Sequence, residues 1–234
     1  MSTRKTKPPR TPASSLAQRR VEEKEQRREA IIDAAERVFE RTSFDVATME
    51  HVAKAARVSR ALLYLYFKNK AELNLAICER ALRLLRERFL VAAAQHALGY
   101  DQVRAVGREY VAFAISHPGY FKALSRFEAH AQSEITDGSI EHSVFDCGSA
   151  VHQVTVDCIE NGMRDCSIRN DLEHTLLAAM SLWAFTHGTI QLAHTKHHFF
   201  ERFGLHTDQF IEHAMELGLR GLRPVAAALP NKRK

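Results

Sequence analysis

The chain has 234 residues, of which 45% are hydrophobic and 26% are charged, so its composition predicts a folded protein and excludes wholesale disorder. It has no apolar run of about 18 residues, which excludes a membrane span, and no apolar stretch follows its basic N-terminus as in a secretory signal. Its four cysteines form neither a CxxC pair nor a disulfide framework, as is usual in a reducing compartment, and we predict a cytoplasmic location.

Positive charge is concentrated in the first third of the chain. Residues 1–70 hold 16 Lys and Arg against 9 Asp and Glu, whereas residues 71–234 hold 17 against 19. A polyanion such as DNA is the commonest partner of charge segregated in this way, because basic groups that neutralise phosphates release condensed counterions. A solvated basic tail without a partner would have the same charge distribution, so charge alone leaves both interpretations open.

The N-terminal segment is predicted to be a basic, disordered arm covering residues 1–18. Its first 14 residues carry four basic groups, three prolines and too little apolar surface to fold. A first helix is predicted from about Ser15 to Arg41, where glycine and proline are absent. The apolar stripe of this helix consists of Ile31, Ala35, Val38 and Phe39.

Two short helices follow, each opened by a hydroxyl that can cap free backbone amides. Thr48 opens the first, which runs to about Ala56, and Ser59 opens the second. Only Arg57 and Val58 lie between them, so the two helices must cross at a large angle, as in a helix-turn-helix. The corner is predicted to be packed by Val52, Ala53, Val58 and Leu63.

The remaining sequence predicts further helices and no strand. A fourth helix begins at Asn69, where Glu72 completes a capping box. Later helices are bounded by glycine, proline and capping residues, and no segment alternates with period two between hairpin turns. They are predicted at about residues 101–116, 120–135, 139–162, 171–195 and 207–221. The fold class is therefore all-α, with about nine helices and no internal repeat.

The helix that follows the turn of a helix-turn-helix lies in the major groove of DNA. Leu63 and Phe67, four residues apart, would face the core and leave the opposite side of this helix free. Arg60 is the candidate for reading a base, because its guanidinium can bond two acceptors of guanine. Tyr64 and Tyr66 can each donate a hydroxyl to a phosphate.

The segment from Arg28 to Leu73 closely resembles the DNA-binding region of the TetR (tetracycline-repressor-like) family of transcriptional regulators. It contains the Ile-x-x-Ala-Ala-x-x-x-Phe stripe of the first helix, the capping threonine of the second, and Val-Ser-x-x-x-Leu-Tyr-x-His/Tyr-Phe-x-x-Lys-x-x-Leu. The matching residues are Ile31, Ala34, Ala35, Phe39, Thr48, Val58, Ser59, Leu63, Tyr64, Tyr66, Phe67, Lys70 and Leu73.

This resemblance assigns roles to individual residues of a helix-turn-helix DNA-binding domain at residues 19–73. Contacts to the DNA backbone are implied for Thr48, Ser59, Tyr64, Tyr66 and Lys70, and base-facing positions are implied for Arg60, Ala61 and Leu62. The chain departs from the family at Ser43 and Arg57, where glycine is usual and a left-handed backbone is often required.

Beyond Glu87 the resemblance depends on length, helix order and one motif, Trp183-x-x-x-His187-Gly188. It implies that residues 74–225 form a larger helical domain that dimerises through its last two long helices and encloses a pocket for a small effector. A homodimer is also expected because one helix-turn-helix reads too few base pairs, whereas paired half-sites about 34 Å apart read enough. The apolar surface expected to dimerise comprises Leu176, Leu177, Met180, Trp183, Ala184 and Ile190, although a monomer core would use the same residue types. Residues 226–234 are predicted to be a basic tail.

Aromatic residues of this domain are candidates for the wall of the effector pocket. They are Phe113, Phe121, Phe127, Trp183 and Phe185, with His187 as the polar group. Such a wall predicts an apolar or aromatic effector, but aromatic residues at helical spacing can equally be ordinary core.

The predicted function is that of a repressor that binds a palindromic operator as a homodimer and is released by the effector. No cofactor, metal site or catalytic residue is predicted, since the sequence has no nucleophile elbow, HExxH, phosphate loop or dinucleotide fingerprint. Two alternatives stay open. One is a metal- or thiol-redox-responsive regulator with the same DNA-binding head, using His194, His197 and His198 or Cys147, Cys158 and Cys166. The other is a helical enzyme or adaptor whose basic arm only aids solubility.

Overall fold

In a computed structural model of the chain, residues 16–129 and 135–224 are described. These two ranges contain ten α-helices and no strand, which confirms the all-α prediction. The helices are α1 (Leu16–Thr42), α2 (Met49–Ala56), α3 (Arg60–Tyr66), α4 (Lys70–Ala94), α5 (Gly99–Ser116), α6 (Pro118–Glu128), α7 (Ile140–Arg164), α8 (Thr175–Thr195), α9 (His197–Arg202) and α10 (Thr207–Arg220). Residues 1–15 of the predicted arm and the predicted tail at 226–234 lie outside the described residues. None of the described helices is long and apolar enough to cross a bilayer.

The chain divides into two compact units, Met1–Leu73 and Asn74–Lys234. In the first unit α1 packs against α2, and α2 packs against α3. Its core is built from the apolar stripe of α1 and the inner faces of α2 and α3, as the periodicity predicts. The buried side chains are Ile31, Ile32, Ala34, Ala35, Val38, Ala47, Met49, Val52, Ala53, Leu63, Phe67 and, at the end of the unit, Leu73.

Both positions where the family usually has glycine adopt the left-handed backbone conformation. Ser43, just after α1, has φ 61°, and Arg57, just after α2, has φ 55° and ψ 40°. Arg57 is the left-handed residue of a Schellman motif, in which the Val58 amide donates to the Ala53 carbonyl at 3.0 Å and the Arg57 amide donates to Lys54. The turns therefore keep the geometry that glycine would favour, and two residues with side chains carry the strain.

In the second unit α5 packs against α6, α7 and α8, and α8 packs against α7 and α10. The start of α5 lies against α7 at a glycine pair, because a Cβ on Gly99 would stand 2.0 Å from the amide nitrogen of Gly162. The amide of Gly99 donates to a carboxylate oxygen of Asp165 at 2.8 Å. Bonds from the hydroxyl of Ser167 and the amide of Gly99 to that carboxylate hold the pKa of Asp165 below its ordinary value. This loop thus supplies the missing cap of α5.

Several helix boundaries differ from the prediction, and each difference has a local cause. α8 begins at Thr175 rather than at 171, because the Asp171 carboxylate binds the Arg169 guanidinium through two bonds of 2.5 and 2.6 Å instead of capping a helix. α6 begins at Pro118, since proline fits the first turn of a helix, where no amide donor is needed. α9, the helix beyond the nine that were predicted, has only six residues, which is too short for its periodicity to be read from the sequence.

Candidate nucleic-acid interface and ligand cavity

The two predicted hydroxyl caps are present at the starts of α2 and α3. The Thr48 hydroxyl oxygen accepts a hydrogen bond from the amide of His51 at 3.2 Å, and the Ser59 oxygen accepts one from the amide of Leu62 at 3.1 Å. Both residues are exposed. Because each hydroxyl acts as an acceptor in its cap, its O–H can still donate to an external acceptor such as a phosphate oxygen.

The helix α3 has a sharply divided surface. Leu63 and Phe67 are 0% and 2% exposed, so they hold the inner side in the core. Arg60 and Tyr64 lie exposed and together, with the guanidinium carbon 5.7 Å from the centre of the tyrosine ring. A guanidinium at this distance from an aromatic ring is attracted to its face. Two polar side chains are thus placed on the same outer side of α3.

The other residues predicted to contact DNA are also on or beside α3. Ala61 is exposed, whereas Leu62 and Tyr66 are half-buried. Tyr64 and Tyr66 therefore occupy different environments, as expected for two residues spaced two apart on a helix. Leu65, between them, is 80% exposed and is not among the residues predicted from the sequence to contact DNA. The sequence could have predicted this exposure. Leu65 lies two residues from both Leu63 and Phe67, so a helix that buries those two turns Leu65 away from the core.

Lys70 has an internal role that differs from the predicted phosphate contact. Its ammonium group donates to the carbonyl oxygens of Phe44, Asp45 and Ala47 at 2.6, 3.2 and 3.0 Å. It also lies 4.5 Å from the centre of the Phe44 ring. An ammonium group has three donors, so these bonds use all of them. Lys70 thereby fixes the loop that leads from α1 to Thr48. Local sequence patterns do not reveal this structural role, because the bonded residues are far apart in the chain.

A narrow cavity of about 40 Å³ lies within the second unit. Its walls come from α4, α5, α7, α8 and α10 and are mostly apolar or aromatic. The residues that line it include Phe89, Val106, Gly107, Tyr110, His152, Thr155, Trp183, Phe185, Met215 and Gly218. Of the six residues predicted for an effector pocket, only Trp183 and Phe185 are among its lining residues.

His187 and Phe121 lie one layer behind this wall. The His187 ring is 5.3 Å from the Trp183 ring and 5.0 Å from the Phe121 ring, measured between ring centres. Its Nδ1 is hydrogen-bonded to the Tyr110 hydroxyl at 2.7 Å and its Nε2 to the Ser125 hydroxyl at 3.3 Å. A neutral imidazole can satisfy both bonds, one nitrogen donating and the other accepting.

Burial keeps this group of side chains uncharged. Burial lowers the pKa of His187 and that of His152, whose ring meets Trp183 edge-on at 5.3 Å. Burial also raises the pKa of the Tyr110 hydroxyl, which stays protonated. Desolvation disfavours the charged form in each case, so the few polar groups at and behind the mostly apolar wall carry no charge.

Phe113 and Phe127, both predicted for the effector pocket, do not line this cavity. Phe113 is fully buried and stacks on His117 with ring centres 5.2 Å apart, and the Arg88 guanidinium lies 5.9 Å from its ring. Phe127 is half-buried on α6. Tyr110 and His152 line the cavity instead. Which side chains face it depends on how α5 and α7 are rotated about their axes relative to α8. A single helical stretch of sequence does not contain that information.

Within the described ranges no group of three or more His, Cys, Asp or Glu is placed to hold a metal ion. His197 and His198 contact each other, and His198 pairs with Glu201 at 3.1 Å. All four cysteines are free thiols, and burial raises the pKa of Cys78 to about 12 and that of Cys158 to about 11. Both buried thiols are therefore protonated and unreactive at neutral pH.

Comparison with known proteins identifies two matching family models. Residues 31–77 match the model of the bacterial regulatory proteins of the tetR family, and residues 103–217 match that of the tetracyclin repressor-like C-terminal domain. A search of the curated proteins finds no match.

Solved structures with the same fold cover most of the chain. A protein with unknown function from Rhodococcus sp. RHA1 has a TM-score of 0.67 and 21% identity, over 84% of this chain and 95% of its own. A bacterial regulatory protein in the tetR family from Rhodococcus RHA1 has a TM-score of 0.64 and 16% identity, over 86% and 99%. The transcriptional regulator FadR from Bacillus subtilis, in complex with stearoyl-CoA, has a TM-score of 0.63 and 17% identity, over 83% and 99%. At these identities the likeness concerns the fold alone.

Proposed function

This chain belongs to the tetR family of bacterial regulatory proteins, and we propose that it is a cytoplasmic repressor that binds a palindromic operator as a homodimer. In this proposal a small apolar or aromatic effector, bound in the cavity of the second unit, releases the protein from DNA. The protein acts by binding and has no catalytic role. The observation that carries the proposal is the exposed part of α3, where Arg60 and Tyr64 stand together beside the fully buried Leu63.

The proposed DNA contacts divide into two classes. Thr48, Ser59, Tyr64 and Tyr66 donate hydroxyl hydrogens to phosphate oxygens, which fixes the register of α3 on the duplex. Arg60, Ala61 and Leu62 face the bases. Arg60 supplies the hydrogen-bonding readout, since a guanidinium pairs with two acceptors of a guanine. The excess of Lys and Arg within residues 1–70 supports a polyanionic partner.

We propose that Lys70 contributes to DNA binding through the loop that it holds. Its three bonds to the carbonyl oxygens of residues 44, 45 and 47 fix the backbone immediately before Thr48. Thr48 then enters α2 with its hydroxyl outward, where a phosphate can reach it. The direct phosphate contact implied by the family resemblance is not needed for this effect.

The DNA-binding proposal is tested with duplexes selected by the protein from a random pool, each binding curve being measured over a series of NaCl concentrations. Affinity is expected to fall steeply with salt. Tyr64→Ala should weaken binding to all sequences, whereas Arg60→Ala should relax preference at one position of each half-site by about 10- to 100-fold. The proposal fails if the wild-type protein binds no duplex at low salt.

The homodimer is proposed to form through α8 and α10. α8 is apolar on nearly all sides, and several of its large side chains are exposed although α7 and α10 already cover part of it. The exposed apolar residues of the two helices are Leu176, Leu177, Met180, Phe185, Leu192 and Leu217. Ile190, predicted for this surface, is instead buried in the unit's own core. Exposed apolar residues on two helices that pack against each other support an interface there.

Sedimentation velocity tests the proposed dimer by comparing variants at two residues of similar exposure. Leu177 on α8 is 64% exposed and Ile115 on α5 is 66% exposed. Leu177→Glu should give a monomer, because it places two carboxylates in the symmetric interface. Ile115→Glu should leave the dimer intact. A dimer that survives Leu177→Glu, or a wild-type monomer at micromolar concentration, argues against this interface.

The effector is proposed to enter by displacing side chains of the cavity wall. A volume of about 40 Å³ is far below the roughly 300 Å³ of a typical ligand pocket, so the cavity must widen to admit one. Met215 has an unbranched side chain with three rotatable bonds, so it is the part of the wall that can change rotamer most readily. Because the ligand can occupy only the widened form, it shifts the population toward that form.

Trp183 is the only tryptophan of the chain and lines the cavity, so its fluorescence reports directly on the effector. Titration should include small aromatic molecules such as indole and benzoate, and also stearoyl-CoA, the ligand of the B. subtilis FadR complex. A saturable change in emission is expected from apolar or aromatic compounds, together with release of DNA. A compound that releases DNA without altering Trp183 emission would place the effector elsewhere.

A further inference from the structure

The most exposed part of α3 is an apolar ridge centred on Leu65. Successive residues of a helix are about 100° apart. Leu65 therefore stands about 180° from the midpoint between Leu63 and Phe67, the two side chains that anchor α3 in the core. At 80%, Leu65 has the highest exposure among the large hydrophobic side chains described.

The neighbours of Leu65 on this ridge are apolar as well. Ala61, one helical turn earlier, is exposed on the same side, and half-buried Leu62 lies on the other flank of the ridge. Arg60 and Tyr64 form the adjacent edge. The centre of the outward face of α3 thus has no side chain that can form a hydrogen bond, and its polar groups lie toward the sides.

We propose that Leu65, together with Ala61, reads thymine methyl groups in the major groove of the operator. This inference rests on the proposed function, in which α3 lies in that groove. Each base pair presents hydrogen-bonding groups there, and the C5-methyl of thymine is the apolar feature among them. An apolar ridge at the centre of the helix can discriminate only through that methyl, so the proposal predicts a thymine at the middle of each half-site.

The charge around the ridge favours DNA over a protein partner. Arg57, Arg60 and Lys68 are exposed, and they lie within eight residues of Leu65 in the chain. An apolar ridge between cationic groups suits a duplex, whose phosphates flank base edges that include methyl groups. A protein that bound the same leucine would have to match this positive rim, and that alternative is separated by the experiment below.

The experiment replaces each thymine of a selected duplex, one at a time, by deoxyuridine. This substitution removes the methyl group and leaves every hydrogen-bonding group of the base pair in place. For the wild-type protein, deoxyuridine at one or two positions per half-site should weaken binding about three- to five-fold, the effect of one buried methyl. At the one of those positions that Leu65 contacts, Leu65→Ala should bind thymine and deoxyuridine duplexes equally.

Val46→Ala is the matched control, because Val46 is 65% exposed in the same unit but lies outside α3. It should keep the wild-type preference for thymine. The proposal is overturned if deoxyuridine has no effect at any position while the wild-type protein binds the duplex, or if Leu65→Ala keeps the full preference. A wild-type protein that binds no duplex overturns the proposed function as well, so the two failures are distinguishable.

Discussion

The amide of Val58 donates to the carbonyl oxygen of Ala53 at 3.0 Å, closing the turn between α2 and α3 around a left-handed Arg57. The left-handed conformation costs a residue with a Cβ about 1–2 kcal/mol and costs glycine nothing. Part of this difference in stability is offset, because a glycine makes the unfolded chain more flexible and therefore more costly to order.

We therefore expect Arg57→Gly to stabilise the first unit by about 0.5–1 kcal/mol, measured as the free energy of unfolding in urea. Arg57→Ala is the matched control: it removes the same charge and keeps the strain, so it should change stability by less than the glycine variant. Equal stabilisation by alanine would show that the charge of Arg57, and not its backbone, was unfavourable.

Replacement of Lys70 should act on folding before it acts on DNA. Lys70→Met leaves the carbonyl oxygens of residues 44, 45 and 47 without their donor, and a loss of about 2 kcal/mol in unfolding free energy is expected. Lys68→Met, which removes only an exposed ion pair with Glu72, should be nearly neutral.

The salt dependence of DNA binding separates the two roles of Lys70. A lost phosphate contact lowers the slope of log affinity against log salt by about 1. With an internal role, Lys70→Met should retain the wild-type slope. A reduced slope for Lys70→Met, with an unchanged free energy of unfolding, would instead support a direct contact between Lys70 and a phosphate.

The structural features that could be predicted from the sequence are those that depend on residues within about one helical turn of each other. Thr48 and Ser59 cap helices because a hydroxyl three residues before a free amide is enough, and Leu63 and Phe67 are buried because one turn separates them. The bonds of Lys70 join residues more than 20 apart in the chain. The cavity wall likewise depends on how three helices rotate, so Tyr110 and His152 could not be distinguished from ordinary core residues. The short α9 has no strong cap to mark it.

The stability of the protein should decline at acidic pH through its buried histidines. Burial lowers the pKa of His187 and His152 in the folded state, whereas the unfolded chain titrates near pH 6.5. Between that value and the lower folded pKa, the unfolded state binds more protons, so stability is full above about pH 6.5 and falls as the pH decreases.

His187→Gln should reduce this pH dependence by up to about one proton, measured as the slope of unfolding free energy between pH 7.5 and 5. His96→Gln, at an exposed position, provides the control and should keep the wild-type slope. If the His187 variant also keeps that slope, the imidazole does not resist protonation in the folded protein.

The glycine pair between α5 and α7 should tolerate no side chain. Gly99→Ala would place a methyl 2.0 Å from the Gly162 nitrogen and 2.5 Å from the Cys158 carbonyl oxygen, and neither backbone atom can move freely. We expect a loss of about 3 kcal/mol in unfolding free energy. Gly148→Ala, in α7 at ordinary contact distance from Leu82, should be neutral or slightly stabilising. Similar stabilities for the two variants would contradict the close approach.

The most direct test of DNA recognition by α3 is selection of bound duplexes from a random pool by the wild-type protein and by Tyr64→Ala and Arg60→Ala. The wild-type protein should enrich an inverted repeat whose half-site centres lie about 34 Å apart, one helical turn of DNA, or a multiple of that distance. Tyr64→Ala should enrich little, and Arg60→Ala should lose one position of each half-site. A pool without an inverted repeat, or one that both variants enrich as the wild type does, would contradict recognition by α3.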